Sequence, residues 1–156
     1  MMTRFQFLVL LAIPALAYAS PSRMKIAADD EPGQRITISG RVFAADGKPR
    51  AGVEMYAYHT DAKGLYRRDG LFSRDPRLRG TLITATDGSY LIDTIKPAPY
   101  PGRNIPAHIH IHLRGAGWDQ EEEIRFEGEG AAICKLHRDS DGILRCTVNF
   151  QLKGNR

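Results

Sequence analysis

Cysteine is scarce in this chain: two residues in 156, Cys134 and Cys146. So few exclude a dense disulfide scaffold and a four-cysteine zinc site, and a pairing between them leaves no thiol as a nucleophile. Charge is equally undirected. The net charge is +4, yet no block of five like charges occurs, so composition gives no ground for a nucleic-acid partner. No amphipathic helical run, His-Glu-x-x-His motif, internal repeat or low-complexity segment stands out. What is present is ordinary for one globular domain: 42% hydrophobic and 26% charged residues. Fifteen glycines and nine prolines, many in turn dipeptides, argue against a helical bundle.

Met1 to Ala19 reads as a secretory signal. Arg4 supplies the positive start, Phe5 to Leu16 is apolar apart from Gln6, and Ala17-Tyr18-Ala19 is a small-x-small cleavage site. The apolar stretch is too short for a membrane span. The mature chain is therefore expected to begin at Ser20, to be exported (periplasmic or secreted) and to keep no stable membrane insertion. Export places both cysteines in an oxidising compartment. They flank the turn Ser140-Asp141-Gly142, so a hairpin there would bring Cys134 and Cys146 into disulfide range.

Residues 20–34 are polar, including Asp29-Asp30-Glu31-Pro32-Gly33, and read as a flexible tail. From residue 35 to 156 the apolar period is two. Val53, Met55, Ala57 and His59 alternate with Glu54, Tyr56 and Tyr58. Leu82-Ile83-Thr84 and Tyr90-Leu91-Ile92 flank Asp87-Gly88, a hairpin signal. Ile143 to Leu152 reads as a last strand. Seven or more short strands with closely spaced turns predict an all-β, antiparallel, prealbumin-like β-sandwich. His59 and His137 are expected at the surface or in loops, and Glu121-Glu122-Glu123 on a solvated face.

One stretch carries chemistry. In His108-Ile109-His110-Ile111-His112-Leu113 the histidines share one face of a strand and the aliphatic residues the other. Residues two apart lie about 6.6 Å from each other, so two adjacent imidazoles can lean toward one metal ion, while a third needs a bend. The pattern alone says only metal, because imidazole suits zinc, copper, iron and nickel. Two tyrosines stand near glycine turns: Tyr66 after Gly64-Leu65, and Tyr100 before Pro101-Gly102. A phenol with an ordinary pKa of about 10 becomes an anionic ligand only beside a strongly Lewis-acidic cation such as ferric iron. Taken singly, either phenol reads equally as a hydrogen-bonded Tyr of a sandwich.

Thr94-Ile95-Lys96-Pro97-Ala98-Pro99-Tyr100-Pro101 followed by Ile105-Pro106-Ala107-His108-Ile109-His110 resembles the core of the intradiol ring-cleavage dioxygenases, the family of protocatechuate and catechol dioxygenases. The resemblance runs from about Gly40 to Gly130 and includes Gly64-Leu65-Tyr66 and Thr86-Asp87-Gly88-Ser89-Tyr90. It implies a non-haem Fe(3+) with Tyr66 and His108 as equatorial ligands and Tyr100 and His110 as axial ones. It further implies that Tyr100 leaves the metal when a catechol binds and takes up a substrate proton. The substrates would be a catecholic small molecule and O2, and the product a muconate-type diacid. Where the family places an Arg before Pro-Ala-His, this chain has Ile105, and Arg103 in the shortened loop is the candidate replacement. His112 has no ligand role in the family pattern. The turns Asp46-Gly47 and Asp87-Gly88 equally suit a non-catalytic, exported prealbumin-like module binding zinc or copper through His108, His110 and His112. Only the Tyr/His set separates the two readings. A homo-oligomer stays open.

Overall fold

The computed structural model describes residues 22–69, 75–115, 118–129 and 132–154. The segment read as a signal, Met1–Ala19, lies outside them. Ten strands form within the described residues: β1 (Ser22–Lys25), β2 (Arg35–Phe43), β3 (Glu54–His59), β4 (Leu78–Ile83), β5 (Ser89–Ile95), β6 (His108–Gly115), β7 (Trp118–Arg125), β8 (His137–Arg138), β9 (Leu144–Thr147) and β10 (Phe150–Gln151). No helix there is long and apolar enough to cross a membrane. One sheet runs in the order β1-β5-β2-β9-β8, with β10 also on β2; the other runs β4-β3-β6-β7.

Alternation explains why the two sheets stack. On β2 and β5, Ile36, Ile38, Val42 and Ile92 point inward; on β3, β6 and β7, Met55, Ala57, Ile109, Ile111, Leu113 and Ile124 point back at them, each 1% exposed or less. The expected all-β sandwich is the fold. The four-stranded sheet is antiparallel throughout. The other is mixed, because β1, β9 and β10 pair in parallel with β5, β2 and β2.

Four local expectations change, three of them in the backbone. Residues 22–25 are not part of a flexible tail but the edge strand β1, in register with Tyr90–Asp93. Met24 and Ala27 are buried, and Glu31 makes a two-pronged ion pair with Arg77 at 2.6 and 2.7 Å. The polarity that suggested a tail belongs to side chains with distant partners. At Asp87-Gly88 the tight turn forms, with Gly88 at φ 74° and Gly88 N donating to Ala85 O at 2.8 Å. Yet β4 and β5 lie in different sheets: Thr84 N donates to Val53 O at 2.9 Å, Val42 N to Gly88 O at 3.0 Å, and the turn carries the chain across the core. The last strand breaks at Val148-Asn149 into β9 and β10.

Cys134 and Cys146 are joined by a disulfide, with Cα atoms 5.4 Å apart. The hairpin expected around Ser140 is present as β8 and β9. His137 is exposed as expected, but His59 is fully buried. Its Nδ1 donates to Thr60 O at 2.7 Å, so its Nε2 accepts from the Thr94 hydroxyl at 2.7 Å. Burial pushes its pKa down to about 4, which keeps the ring neutral.

Candidate metal centre

The outward face of β6 begins with His108, His110 and His112, while Ile109, Ile111 and Leu113 anchor the strand in the core. Tyr100 arrives on the proline-rich loop before β6, and Tyr66 on the loop after β3. Backbone and side-chain bonds tie these loops together. The Thr60 hydroxyl donates to Ala98 O at 2.9 Å, and Ala98 N donates to Asp61 O at 3.1 Å. The Asp61 carboxylate accepts from Lys63 N and Leu65 N at 2.9 and 3.0 Å, shaping the turn that delivers Tyr66. Gly64 sits at φ 79°, and a Cβ there would lie 2.1 Å from Pro99 O. Only glycine lets the two loops touch.

Four donor atoms converge. Tyr100 Oη lies 3.2 Å from His108 Nε2 and 3.4 Å from His110 Nε2; His110 Nε2 lies 3.0 Å from Tyr66 Oη. The two Nε2 atoms are 3.1 Å apart, and the two phenol oxygens touch. Proton bookkeeping shows what this cluster suits. His108 Nδ1 faces Pro106 O at 2.8 Å; a carbonyl only accepts, so that nitrogen holds the proton and Nε2 presents a lone pair. On His110, Nδ1 faces a Glu123 carboxylate oxygen at 4.0 Å, which favours the proton on that side too. Two imidazole lone pairs then face each other, an arrangement a cation between them satisfies. Burial, followed by the repulsion a second imidazolium would meet from His108, pulls the His110 pKa down and keeps it in its ligating form. Burial and the Tyr100 hydroxyl push the Tyr66 phenol well above its usual pKa. It therefore releases its proton only to a strongly Lewis-acidic ion.

The four sequence-derived ligands Tyr66, Tyr100, His108 and His110 thus come together. His112 does not join them. It lies one step further along the face, with Nδ1 3.5 Å from Glu121 and its ring 5.9 Å from that of Tyr58. Arg103 and Ile105 both sit on the exposed loop between Tyr100 and β6; Arg103 N donates to Tyr100 O at 3.2 Å.

Three contributors were not legible beforehand. Tyr58 stacks on His110 with centroids 4.5 Å and planes 14° apart, because β3 places it directly opposite. Glu123 lies opposite His110 on β7, and Arg125 lies opposite His108, donating two hydrogen bonds to Glu123 at 3.0 and 2.7 Å. The alternation of β3 and β7 put these side chains on an outward face; only strand pairing shows that the face is that of the histidines. Glu123, His108 and His110 also place ligand atoms within 4.8 Å of one another. The carboxylate, however, lies 4.0 Å from the Nδ1 side of His110, away from the convergent Nε2 atoms, near enough to attract charge there and too far for a hydrogen bond.

Comparison with known proteins agrees with this geometry. A family model described as Dioxygenase matches residues 14–139. The chlorocatechol 1,2-dioxygenase of Rhodococcus opacus is 31% identical over 119 residues, covering 64% of this chain and 46% of that protein. Catechol 1,2-dioxygenase 1 of Acinetobacter lwoffii is 33% identical over 118 residues, covering 64% and 37%. The chain thus spans less than half the length of these two relatives. Among solved structures, the dioxygenase domain of a dioxygenase–carbohydrate-binding fusion from Streptomyces sp. SirexAA-E superposes with a TM-score of 0.70 at 28% identity, covering 83% of this chain and 86% of that one. An intradiol ring-cleavage dioxygenase from Tetranychus urticae shares the fold, with a TM-score of 0.67 at 20% identity over 85% and 87%.

Proposed function

Because the chain belongs to the intradiol ring-cleavage dioxygenase family, we propose that it holds one ferric ion through Tyr66, Tyr100, His108 and His110 and cleaves a catecholic ring with O2 to a muconate-type diacid. The observation that carries this reading is the convergence of two phenol oxygens and two lone-pair nitrogens, each within 3.4 Å of at least two of the others. A divalent binding module needs no phenols in that cluster. When bound, the ferric ion supplies Lewis acidity that holds a catecholate and makes its ring reactive toward O2.

The protein's own residues divide the remaining work. His108 is fixed by Pro106 O, and His110 by the Tyr58 stack and Glu123, so neither imidazole must reorient during turnover. Tyr66 is held by the turn built on Asp61 and Gly64. Tyr100 stands just before six exposed residues, and it is the phenol that would yield its place and accept a substrate proton at Oη. Arg103, three residues on, is the proposed cation for charge that develops on the substrate ring. The exported location is supported by the pattern of Met1–Ala19 and by the pairing of both cysteines.

Metal analysis, visible absorption and oxygen uptake test the proposal together. One iron per chain, a red-brown phenolate-to-iron band that shifts on adding catechol, and oxygen consumed with catechol are expected. A colourless protein with stoichiometric zinc and no oxygen uptake overturns it.

A further inference from the structure

The cavity beside His110 has a marked charge. Its volume is about 530 Å³, the size of a pocket for a single substituted ring. Tyr58, His110 and His112 line it with aromatic rings; on the neighbouring strand β7 Glu121 and Glu123, with Glu129 beyond it, add carboxylates against one guanidinium, that of Arg125, while the Glu122 carboxylate turns to Gln120 and Lys153. Arg125 is committed to Glu123 by two hydrogen bonds, and Glu122 is answered by Lys153 at 3.2 Å. Glu121 is 79% exposed, and the nearest basic group to it is His112 at 3.5 Å.

Register fixes where these carboxylates stand relative to a ring held at the four donors. Glu123 is opposite His110 and Glu121 opposite His112, one step further from the cluster. A step of two residues along a strand is about 6.6 Å. A two-atom side chain on a bound catechol, directed along β6, reaches the space between Glu121 and the Tyr58 and His112 rings. An anionic substituent meets like charge there. An ammonium meets carboxylates and ring faces, both of which attract a cation.

We infer that the preferred substrate is a catechol with a cationic, amine-bearing side chain, selected against carboxylated catechols by Glu121 and Glu129. The inference rests on the catechol-cleaving reading and names the substrate class of that same site.

Two probes with side chains of similar length, aminoethyl catechol and carboxymethyl catechol, and unsubstituted catechol as reference test it. Oxygen uptake by the iron-loaded protein gives kcat/KM, and anaerobic calorimetric titration gives binding without turnover. The amine should exceed the carboxylate by about tenfold or more in both measurements, a discrimination that rising salt compresses. Glu121→Gln combined with Glu129→Gln should shrink that ratio severalfold. A carboxylate that binds as tightly as the amine, or a ratio unchanged in the double variant, overturns the inference while leaving ring cleavage standing. Oxygen uptake absent with all three overturns the dioxygenase reading instead, and the binding order then decides the charge selectivity by itself.

Discussion

His108 donates from Nδ1 to the Pro106 carbonyl at 2.8 Å, and this bond sets the role of the opposite nitrogen. With one ring nitrogen protonated by a partner that can only accept, Nε2 is left as a lone pair beside Tyr100 and His110. Pro106 has no N–H, so its only backbone polar group is the carbonyl spent on this ring. A proline two residues ahead of the strand thereby orients a proposed ligand that the strand alone would leave free to rotate.

The ligand set itself is open to test. His108→Ala should abolish stoichiometric iron binding, because it removes one of the two imidazole donors, the one locked in place by Pro106 O. Glu123→Gln should behave differently. Loss of a partner that steadies a metal-bound histidine costs roughly 10–100-fold in metal affinity. At saturating iron it should therefore keep the visible band that His108→Ala lacks. Metal analysis after dialysis, alongside the absorption spectrum, separates the two variants; equal loss of iron and colour in both would make Glu123 a ligand.

How much of this was readable beforehand follows from which interactions are local. The histidine strand and the Pro-Ala-His-x-His run lie within a few residues, so Ile109 and Ile111 inward and His108 and His110 outward follow from period two alone. The disulfide partners flank one turn and were equally visible. Tyr58, Glu123 and Arg125 reach the site only through pairing of β3 and β7 with β6, and no local pattern states which strands become neighbours. His59 misled because a polar residue at an inward position looks like an exception; Thr94, 35 positions away, makes it an ordinary buried one. Glu31 hid in an acidic run for the same reason, its partner Arg77 being 46 positions distant.

That pairing predicts a cost for removing the segment that looked like a tail. Deletion of residues 20–33 should lower stability markedly, since it exposes the edge of β5 and leaves Arg77 without Glu31. Glu31→Gln alone should cost about 2 kcal/mol, in the range for a hydrogen bond to a charged group left short of its partner. Arg77 also donates its backbone N–H to Tyr66 O at 3.0 Å, so the deletion should weaken iron retention as well as folding. Chemical denaturation with and without iron measures both; a deletion variant of unchanged midpoint would restore the view of this segment as a tail.

Buried, neutral His59 predicts a pH dependence of stability with a definite sign. Its pKa is about 4 in the folded chain against 6.5 unfolded. Between those values the unfolded chain binds more protons, so stability falls as pH drops below 6.5 and keeps falling to about 4. Over that interval the loss amounts to about 3 kcal/mol. His59→Gln should flatten the slope between pH 6.5 and 4.5, above the range where Glu31, its carboxyl held low by Arg77, begins to protonate. Parallel slopes for the two proteins would place the titration elsewhere.

Cys134 and Cys146 close a loop of sequence separation 12, and Cys134, next to the cavity-lining Ile133, donates its N–H to Arg125 O at 2.7 Å. A loop of this size corresponds to about 3 kcal/mol of stabilisation through the unfolded chain. Cys134→Ser with Cys146→Ser should lower the denaturation midpoint accordingly, and a reducing agent should lower that of the parent but not of the variant.

Tyr66 and Tyr100 contribute the same chemical group, yet replacing each with Phe should give opposite signatures. Tyr66 is half-buried, held by its turn and set beside the Tyr58 ring, so on the proposed ligand set Tyr66→Phe removes a permanent anionic ligand. The resting colour should fade and iron should leak. Tyr100, also half-buried, stands just before six exposed residues and is the phenol proposed to yield its place to substrate. Tyr100→Phe should retain iron through the other three donors and still show a new band on adding catechol, because Tyr66 and the catecholate remain. What it loses is the oxygen that accepts the substrate proton, and loss of a positioned proton acceptor lowers kcat by about 10²-fold or more. Arg103→Ala, made alongside, should lower kcat by about tenfold with iron content and colour intact, as expected of a group that stabilises developing charge without touching the metal. If Arg103→Ala keeps full activity while Arg125→Ala loses it, the cation is supplied across the sheet from β7, opposite His108. If Tyr66→Phe and Tyr100→Phe instead behave alike in both iron content and turnover, the two phenols do not share the labour of holding metal and moving the proton, and the assignment of Tyr100 as the yielding ligand fails.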